Sequence, residues 1–316
     1  MLLGSPLTEL LLLAGGVVLL YAGAELLVMG ASDLALAVGL KASTVGVTVI
    51  AFATTAPELF VSLLGAVTVS TDVGLGTILG SNIANIGLVL GVSALIRPLD
   101  ISDTVFRRQV PFMVLAALLL VGLGWNGRIG RPGGLLLLGT LVAFTVVIMR
   151  RIRQTQSGIT SAERAKMPDA SARDVAAVVG GILALVIGSR WLIDGGESLL
   201  SAAGFSDIFI GLTVLALGTS LPELAASLVA AVRGEAEFSV GNVVGSNIYN
   251  ILAVLGIVAV VRPIGVSAGV RGFEFPALIA FTALLVGLMY RGEEISRADG
   301  AVLVAGYGVF AYLLFP

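Results

Sequence analysis

Residues 218–250 read GTSLPELAASLVAAVRGEAEFSVGNVVGSNIYN, and residues 53–85 read ATTAPELFVSLLGAVTVSTDVGLGTILGSNIAN. The two stretches are one design written twice at an offset of 165 positions. In each, an apolar segment is interrupted by Pro57 or Pro222, and Glu58 or Glu223 follows at once. A second apolar segment then carries G-x-x-x-G-S-N-I-x-N, ending at Asn85 or Asn250. A duplicated, oxygen-rich break in two apolar helices is the feature from which the fold is read.

The same offset extends over most of the chain. From Gly46 to Val67, 12 of 22 positions match their partners, and from Gly76 to Gly91, 10 of 16 do. Gly23 pairs with Gly188, Arg97-Pro98 with Arg262-Pro263, and Pro111 with Pro276. The 316 residues are 57% apolar and 12% charged, with mean hydropathy +1.06. Soluble domains carry about 25% charge, so this composition belongs in a bilayer. A helix needs about 20 apolar residues to span one. Ten spans are predicted at 7–29, 43–69, 73–96, 110–126, 132–149, 174–193, 208–232, 238–261, 273–290 and 299–315. No Lys or Arg precedes the apolar N-terminal run, so it reads as a first span rather than a leader.

The expected fold is thus all-α and polytopic: ten transmembrane helices in two five-helix repeats. Residues 1–151 form the first (motifs 46–91), 152–165 a linker, and 166–316 the second (motifs 211–256). Five is odd, so the second repeat enters the membrane from the opposite side. That inverted plan places a substrate site at the repeat interface near the midplane. With the linker cytoplasmic, 13 Lys and Arg lie inside and Arg128, Arg131, Arg262 and Arg271 lie outside. The positive-inside rule therefore predicts extracytoplasmic termini.

Glu58 and Glu223 fall at mid-span, where a carboxylate is costly and functional by default. No basic residue lies in the central part of the four spans around them, so a bound cation is the natural counter-charge. Proline clashes with the carbonyl four residues back, which is expected to free the carbonyls of Ala53 and Gly218. Thr54 shares a helix face with Glu58, Thr219 with Glu223, Ser81 with Asn85, and Ser246 with Asn250. Carboxylate, hydroxyl, amide and carbonyl oxygens suit hard cations such as Ca²⁺. Gly76, Gly80, Gly241 and Gly245 are expected to let the helices approach closely. The chain has no Cys and no His, so thiol chemistry, Cys-type zinc sites and the commonest general base are excluded. Lys41 and Lys166 lie outside the spans; no enzyme is expected, and no cofactor.

The paired motifs resemble the two α-repeats of the sodium/calcium exchanger branch of the cation/Ca²⁺ antiporter superfamily, in its prokaryotic form. GTSLPE and GNVVGSNIYN, with ATTAPE and GTILGSNIAN, carry the resemblance, which extends over essentially the whole chain. It implies that Glu58 and Glu223 clamp Ca²⁺ with the backbone oxygens of Thr54 and Thr219. It further implies Na⁺ positions built from Ala51, Thr54, Thr55, Glu58, Ser81 and Asn85, and from Ala216, Thr219, Ser220, Glu223, Ser246 and Asn250. Spans 1 and 6 in the family slide across the core to give alternating access.

Asn85 and Asn250 are neutral where some relatives carry an acid, leaving two mid-span carboxylates to balance one Ca²⁺. If three Na⁺ replace it, as the resemblance implies, exchange moves net charge. The partners implied are Na⁺, Ca²⁺ and the lipid of a prokaryotic inner membrane, with no nucleic acid and no obligatory protein partner. The alternatives are H⁺ coupling on the same fold, with protonation of Glu58 or Glu223 replacing Na⁺, and a passive cation channel. The remaining charges read as interfacial or structural, with Arg190 and Asp194 paired four residues apart.

Overall fold

In the computed structural model, residues 6–37, 39–40, 44, 51–55, 58–59, 62–63, 71–158, 168–203, 218–292 and 294–314 are described. The chain is mostly α-helical. Among the described residues, eight helices are long and apolar enough to cross a membrane. The predicted span 43–69 lies largely outside the described residues, and the span 208–232 is described from Gly218 onward. What is described of them is α2 (Ala51–Thr54), short pieces at 58–59 and 62–63, and α7 (Leu221–Arg233).

Helix α1 (Pro6–Ala37) opens the chain. Helix α3 begins as Thr71–Ala84, passes through a π turn at Asn85–Leu90 and ends as Gly91–Ile96. A π turn at Val105–Gln109 leads into α4 (Val110–Gly124), and α5 spans Arg131–Gly158. Helix α6 (Ala172–Ala202) begins with a capping box, in which the Ser171 hydroxyl accepts from the Asp174 N–H and the Asp174 carboxylate accepts from the Ser171 N–H. Helix α8 repeats the plan of α3: Ala236–Tyr249, a π turn at Asn250–Leu255, then Gly256–Val261. The short α9 (Ala268–Gly272), α10 (Glu274–Arg291) and α11 (Arg297–Leu314) complete the chain.

Several helices outrun their predicted spans. α1 continues to Ala37 rather than residue 29, α5 to Gly158 rather than 149, and α6 to Ala202 rather than 193. Hydropathy marks only the apolar part of a helix. Good helix formers such as Arg and Gln carry α5 onward into water, through the start of the predicted linker.

α1 and α6 pack antiparallel along their length. A Cβ on Gly16 would lie 2.9 Å from the Gly188 carbonyl, and one on Gly23 would lie 2.9 Å from the Gly181 carbonyl. These contacts are equivalent under exchange of the two halves, since Gly16 is the repeat partner of Gly181 and Gly23 of Gly188. A second glycine set ties α3 to α11 through Gly91 and Gly300, and α5 to α8 through Gly134 and Gly256. The membrane offers little hydrophobic gain for bringing helices together, so close backbone contact supplies the attraction.

The same exchange appears in the extramembrane pieces. Strand β1 (Leu99–Asp100) pairs antiparallel with β4 (Glu294–Ile295), and β2 (Arg128–Ile129) with β3 (Ile264–Gly265). The main core gathers around α3, α4, α8 and α10. A separate apolar cluster joins α1 and α6 to one face of α7 and to Phe238.

Candidate cation site

The two acids stand where helix ends meet. α7 does not continue an unbroken helix across Pro222. Gly218 ends one helical piece, Thr219 and Ser220 turn, and α7 starts at Leu221 with Pro222 in its first turn. Proline fits there because the first helical N–H groups have no intrahelical acceptor. Glu223 therefore sits at the positive end of the α7 dipole, a placement that favours a carboxylate. In the first half, α2 ends at Thr54 and Thr55 turns; the Leu59 N–H donates to the Thr55 carbonyl at 3.1 Å.

Both carboxylates are fully buried. Glu58 and Glu223 lie close enough to interact electrostatically, and the Thr54 side chain faces the Glu223 carboxylate from the other half. The Ser246 hydroxyl donates to Glu223 Oε1 at 3.4 Å. Among the described residues, ion pairs join Arg107 to Asp103, Arg190 to Asp194 at 3.9 Å, Arg233 to Glu25 and Arg291 to Asp299. None reaches either mid-span acid.

Several buried polar atoms have no hydrogen-bond partner among the described residues, and they include both oxygens of Glu58, Glu223 Oε2, the hydroxyls of Ser81, Thr219 and Ser220, and the amide oxygens of Asn85 and Asn250. Burying such groups without a partner costs free energy, and oxygens of these types are the donors that hard cations take. Thr54, Thr55 and Ala51 are also buried. The Ala51 carbonyl already accepts from the Thr55 hydroxyl at 2.6 Å and the Thr55 N–H at 3.1 Å. Ala216 lies outside the described residues, as does Pro57.

The Gly218 carbonyl accepts from the Ser189 hydroxyl of α6 at 2.5 Å, so it has a protein partner rather than standing free. Ser189 is the repeat partner of Ala24, and the two halves differ here. Gly218 is also where α6 presses closest, with Ile193 Cγ1 at 2.3 Å from a Cβ position. On α3, Gly74 also admits a neighbour: its Cβ would lie 2.9 Å from the Ser62 carbonyl. Gly76 and Gly80 meet no described atom within 4 Å.

Asn247 is a residue that the assignment by motif missed. Its Oδ1 accepts from Asn85 Nδ2 at 3.1 Å, and its Nδ2 donates to the Asn82 carbonyl at 3.3 Å, bridging α8 to α3. Asn242 Nδ2 donates to Ser227 Oγ at 3.1 Å and fixes α8 against α7 one turn from Glu223. The signal was present in the repeat: Asn247 and Asn82 are the matching asparagines of G-S-N-I-x-N. The π turns begin at Asn85 and Asn250, the last residues of the two repeated motifs. Such turns are frequent at functional positions.

Fold and site together define a multi-span helical membrane protein with a buried, oxygen-lined carboxylate pair suited to a hard cation. A family model described as sodium/calcium exchanger protein matches residues 8–150 and 174–315, and the chain belongs to that family. It is 35% identical over 307 residues to the CaxA protein of Alkalimonas amylolytica, covering 95% of this chain and 96% of that one. It is 31% identical to the inner membrane protein YrbG of Escherichia coli, covering 96% of each. Among solved structures, the sodium-calcium exchanger NCX_Mj superposes with TM-score 0.84 at 26% identity, over 98% of this chain and 100% of that one.

Proposed function

We propose that the chain is a secondary active antiporter that exchanges Na⁺ for Ca²⁺ by alternating access. The observation that carries this reading is the buried Glu58–Glu223 pair, which no ion pair among the described residues neutralises, together with the unpartnered oxygens of the motif residues. Two carboxylates neutralise one Ca²⁺. Na⁺ ions use the same oxygens, so the two loads exclude each other, and more than two Na⁺ per Ca²⁺ makes exchange electrogenic. Family membership and the sodium-calcium exchanger names of NCX_Mj and of the Methanosarcina acetivorans relative MaX1 support the choice of ions.

The reading takes Glu58, Glu223, Thr54 and Thr219 as ligands of Ca²⁺ and Na⁺. Ala51, Thr55, Ser81, Asn85, Ala216, Ser220, Ser246 and Asn250 complete the Na⁺ positions. Ten spans in two inverted units, 1–151 and 166–316 around the 152–165 linker, are part of it. The exchange-related glycine contacts, strand pairs and π turns favour that plan. α1 and α6 form the moving pair. Their smooth glycine interface and separate apolar cluster distinguish them from the main core. The membrane is a prokaryotic inner membrane, with cytoplasmic linker and extracytoplasmic termini following the Lys and Arg bias.

The test is ⁴⁵Ca²⁺ uptake into proteoliposomes loaded with Na⁺, against K⁺-loaded and pH-gradient controls, with Glu223→Gln alongside. Uptake that needs internal Na⁺ and is lost in the variant is expected. Uptake driven by the pH gradient and indifferent to Na⁺ would replace this reading with H⁺ coupling.

A further inference from the structure

Away from the cation site, a cavity of about 180 Å³ opens where the segment after α1 meets α4 and α5. Its polar wall is Thr44, Thr104, Arg108 and Arg151, and its apolar wall includes Ile148 and Ile152. Thr104 and Arg108 are four residues apart, so they share one face of the turn entering α4. Ile148, Arg151 and Ile152 share one face of α5 by the same spacing. Among the described residues, neither guanidinium is ion-paired. Arg107, next in the chain, is instead held by Asp103 at 3.0 Å.

The location fixes what such a cavity meets. Arg108 lies two residues before the apolar run of α4, and Arg151 two residues after that of α5. Both charges stand at the boundary between hydrocarbon and water, on one side of the membrane. Two guanidiniums and two hydroxyl-bearing side chains match the oxygens of a phosphodiester, which arginine binds by paired N–H donors. The isoleucines offer a surface to an alkyl chain.

We propose that this cavity is a binding site for the anionic head group of a membrane phospholipid. Arg108 and Arg151 hold the phosphate, and Ile148 and Ile152 take the start of an acyl chain. The site is independent of the cation reading. A lipid there would join α5 to the α1–α2 connection.

Native mass spectrometry of the detergent-solubilised protein tests this, with phosphatidylglycerol and phosphatidylcholine of matched chains as probes and inorganic phosphate in a separate arm. One phosphatidylglycerol is expected to bind in preference to phosphatidylcholine. Arg108→Gln with Arg151→Gln should weaken it about thirtyfold, on the order of two interfacial charges. Arg107→Gln with Arg150→Gln removes the same charge from the same helices outside the cavity, and should change binding by less than about twofold. Ile148→Trp, which fills the cavity and keeps both charges, should also weaken it. Equal losses in the two double variants, or no loss with Ile148→Trp, would overturn the site. Displacement of the lipid by millimolar inorganic phosphate would assign the cavity to the free ion and overturn the lipid assignment.

Discussion

Gly180 and Gly181 are adjacent on α6, yet the structure gives them opposite roles, and replacing each by alanine makes a matched pair. A Cβ on Gly181 would lie 2.7 Å from the Gly23 carbonyl, 2.7 Å from the Leu27 N and 2.9 Å from Leu27 Cβ. Ordinary van der Waals contact begins near 3.4 Å, so α1 and α6 must separate by several tenths of an ångström. Two of the obstructing atoms are backbone and the third is a Cβ, which the backbone fixes, so no side-chain rotation relieves the clash. Overpacking of this kind costs about 1–3 kcal/mol. A Cβ on Gly180 meets nothing within 4 Å, and alanine there gains up to about 1 kcal/mol of helix propensity. Thermal unfolding in detergent, at roughly 2–4 °C for each kcal/mol, should show Gly181→Ala several degrees below the parent and Gly180→Ala at or above it. Gly23→Ala meets the same turn from the other side, at 2.9 Å from the Gly181 carbonyl. Its cost should add to that of Gly181→Ala by less than the sum, because one alanine already spreads the pair. If Gly181→Ala is as stable as Gly180→Ala, the close antiparallel packing of α1 on α6 is wrong.

Two further outcomes follow from side chains outside the ligand set. Asn247→Ala leaves the Asn85 amide and the Asn82 carbonyl without their partner. It should cost about 1 kcal/mol of stability and raise the Na⁺ concentration needed for half-maximal exchange, measured in proteoliposomes; an unchanged Na⁺ dependence would remove Asn247 from the site's support. Glu25 of α1 pairs with Arg233 of α7 in a partly exposed position, so Glu25→Gln should lower stability by about 1 kcal/mol or less. The charge swap Glu25→Arg with Arg233→Glu should recover exchange activity lost in either single reversal, and failure to recover would mean the pair does not link α1 to α7.

The sequence made the membrane class, the internal duplication and the mid-span carboxylates readable, because each is written in composition or spacing. The apolar stretches of α3, α8, α10 and α11 end within a few residues of where hydropathy puts them. The extensions of α1, α5 and α6 were not readable from apolar windows, because helix continuation in water depends on propensity rather than hydropathy. The π turns at Asn85 and Asn250 arise from tertiary packing that no residue spacing encodes. Pro222 placed the break before α7, but nothing in its local spacing names the partner of the carbonyl it frees. Ser189 reaches Gly218 from a helix 29 residues earlier, and a local rule has no access to that partner. Asn247 stood inside the recognised motif. Its partner lies 162 positions away, so only the folded chain shows that it bridges the halves.

The central claim is that one buried carboxylate pair serves both ions, and Ca²⁺ binding to the detergent-solubilised protein at rising Na⁺ tests it most directly. Isothermal titration should give one Ca²⁺ per chain in Na⁺-free buffer. The apparent Kd should climb with Na⁺ more steeply than first power, because more than one Na⁺ displaces each Ca²⁺. Glu58→Gln and Glu223→Gln should each abolish the Ca²⁺ signal while the variants remain folded by thermal unfolding. Ca²⁺ binding that is unaffected by Na⁺, or that survives in both variants, would contradict a shared site at Glu58 and Glu223.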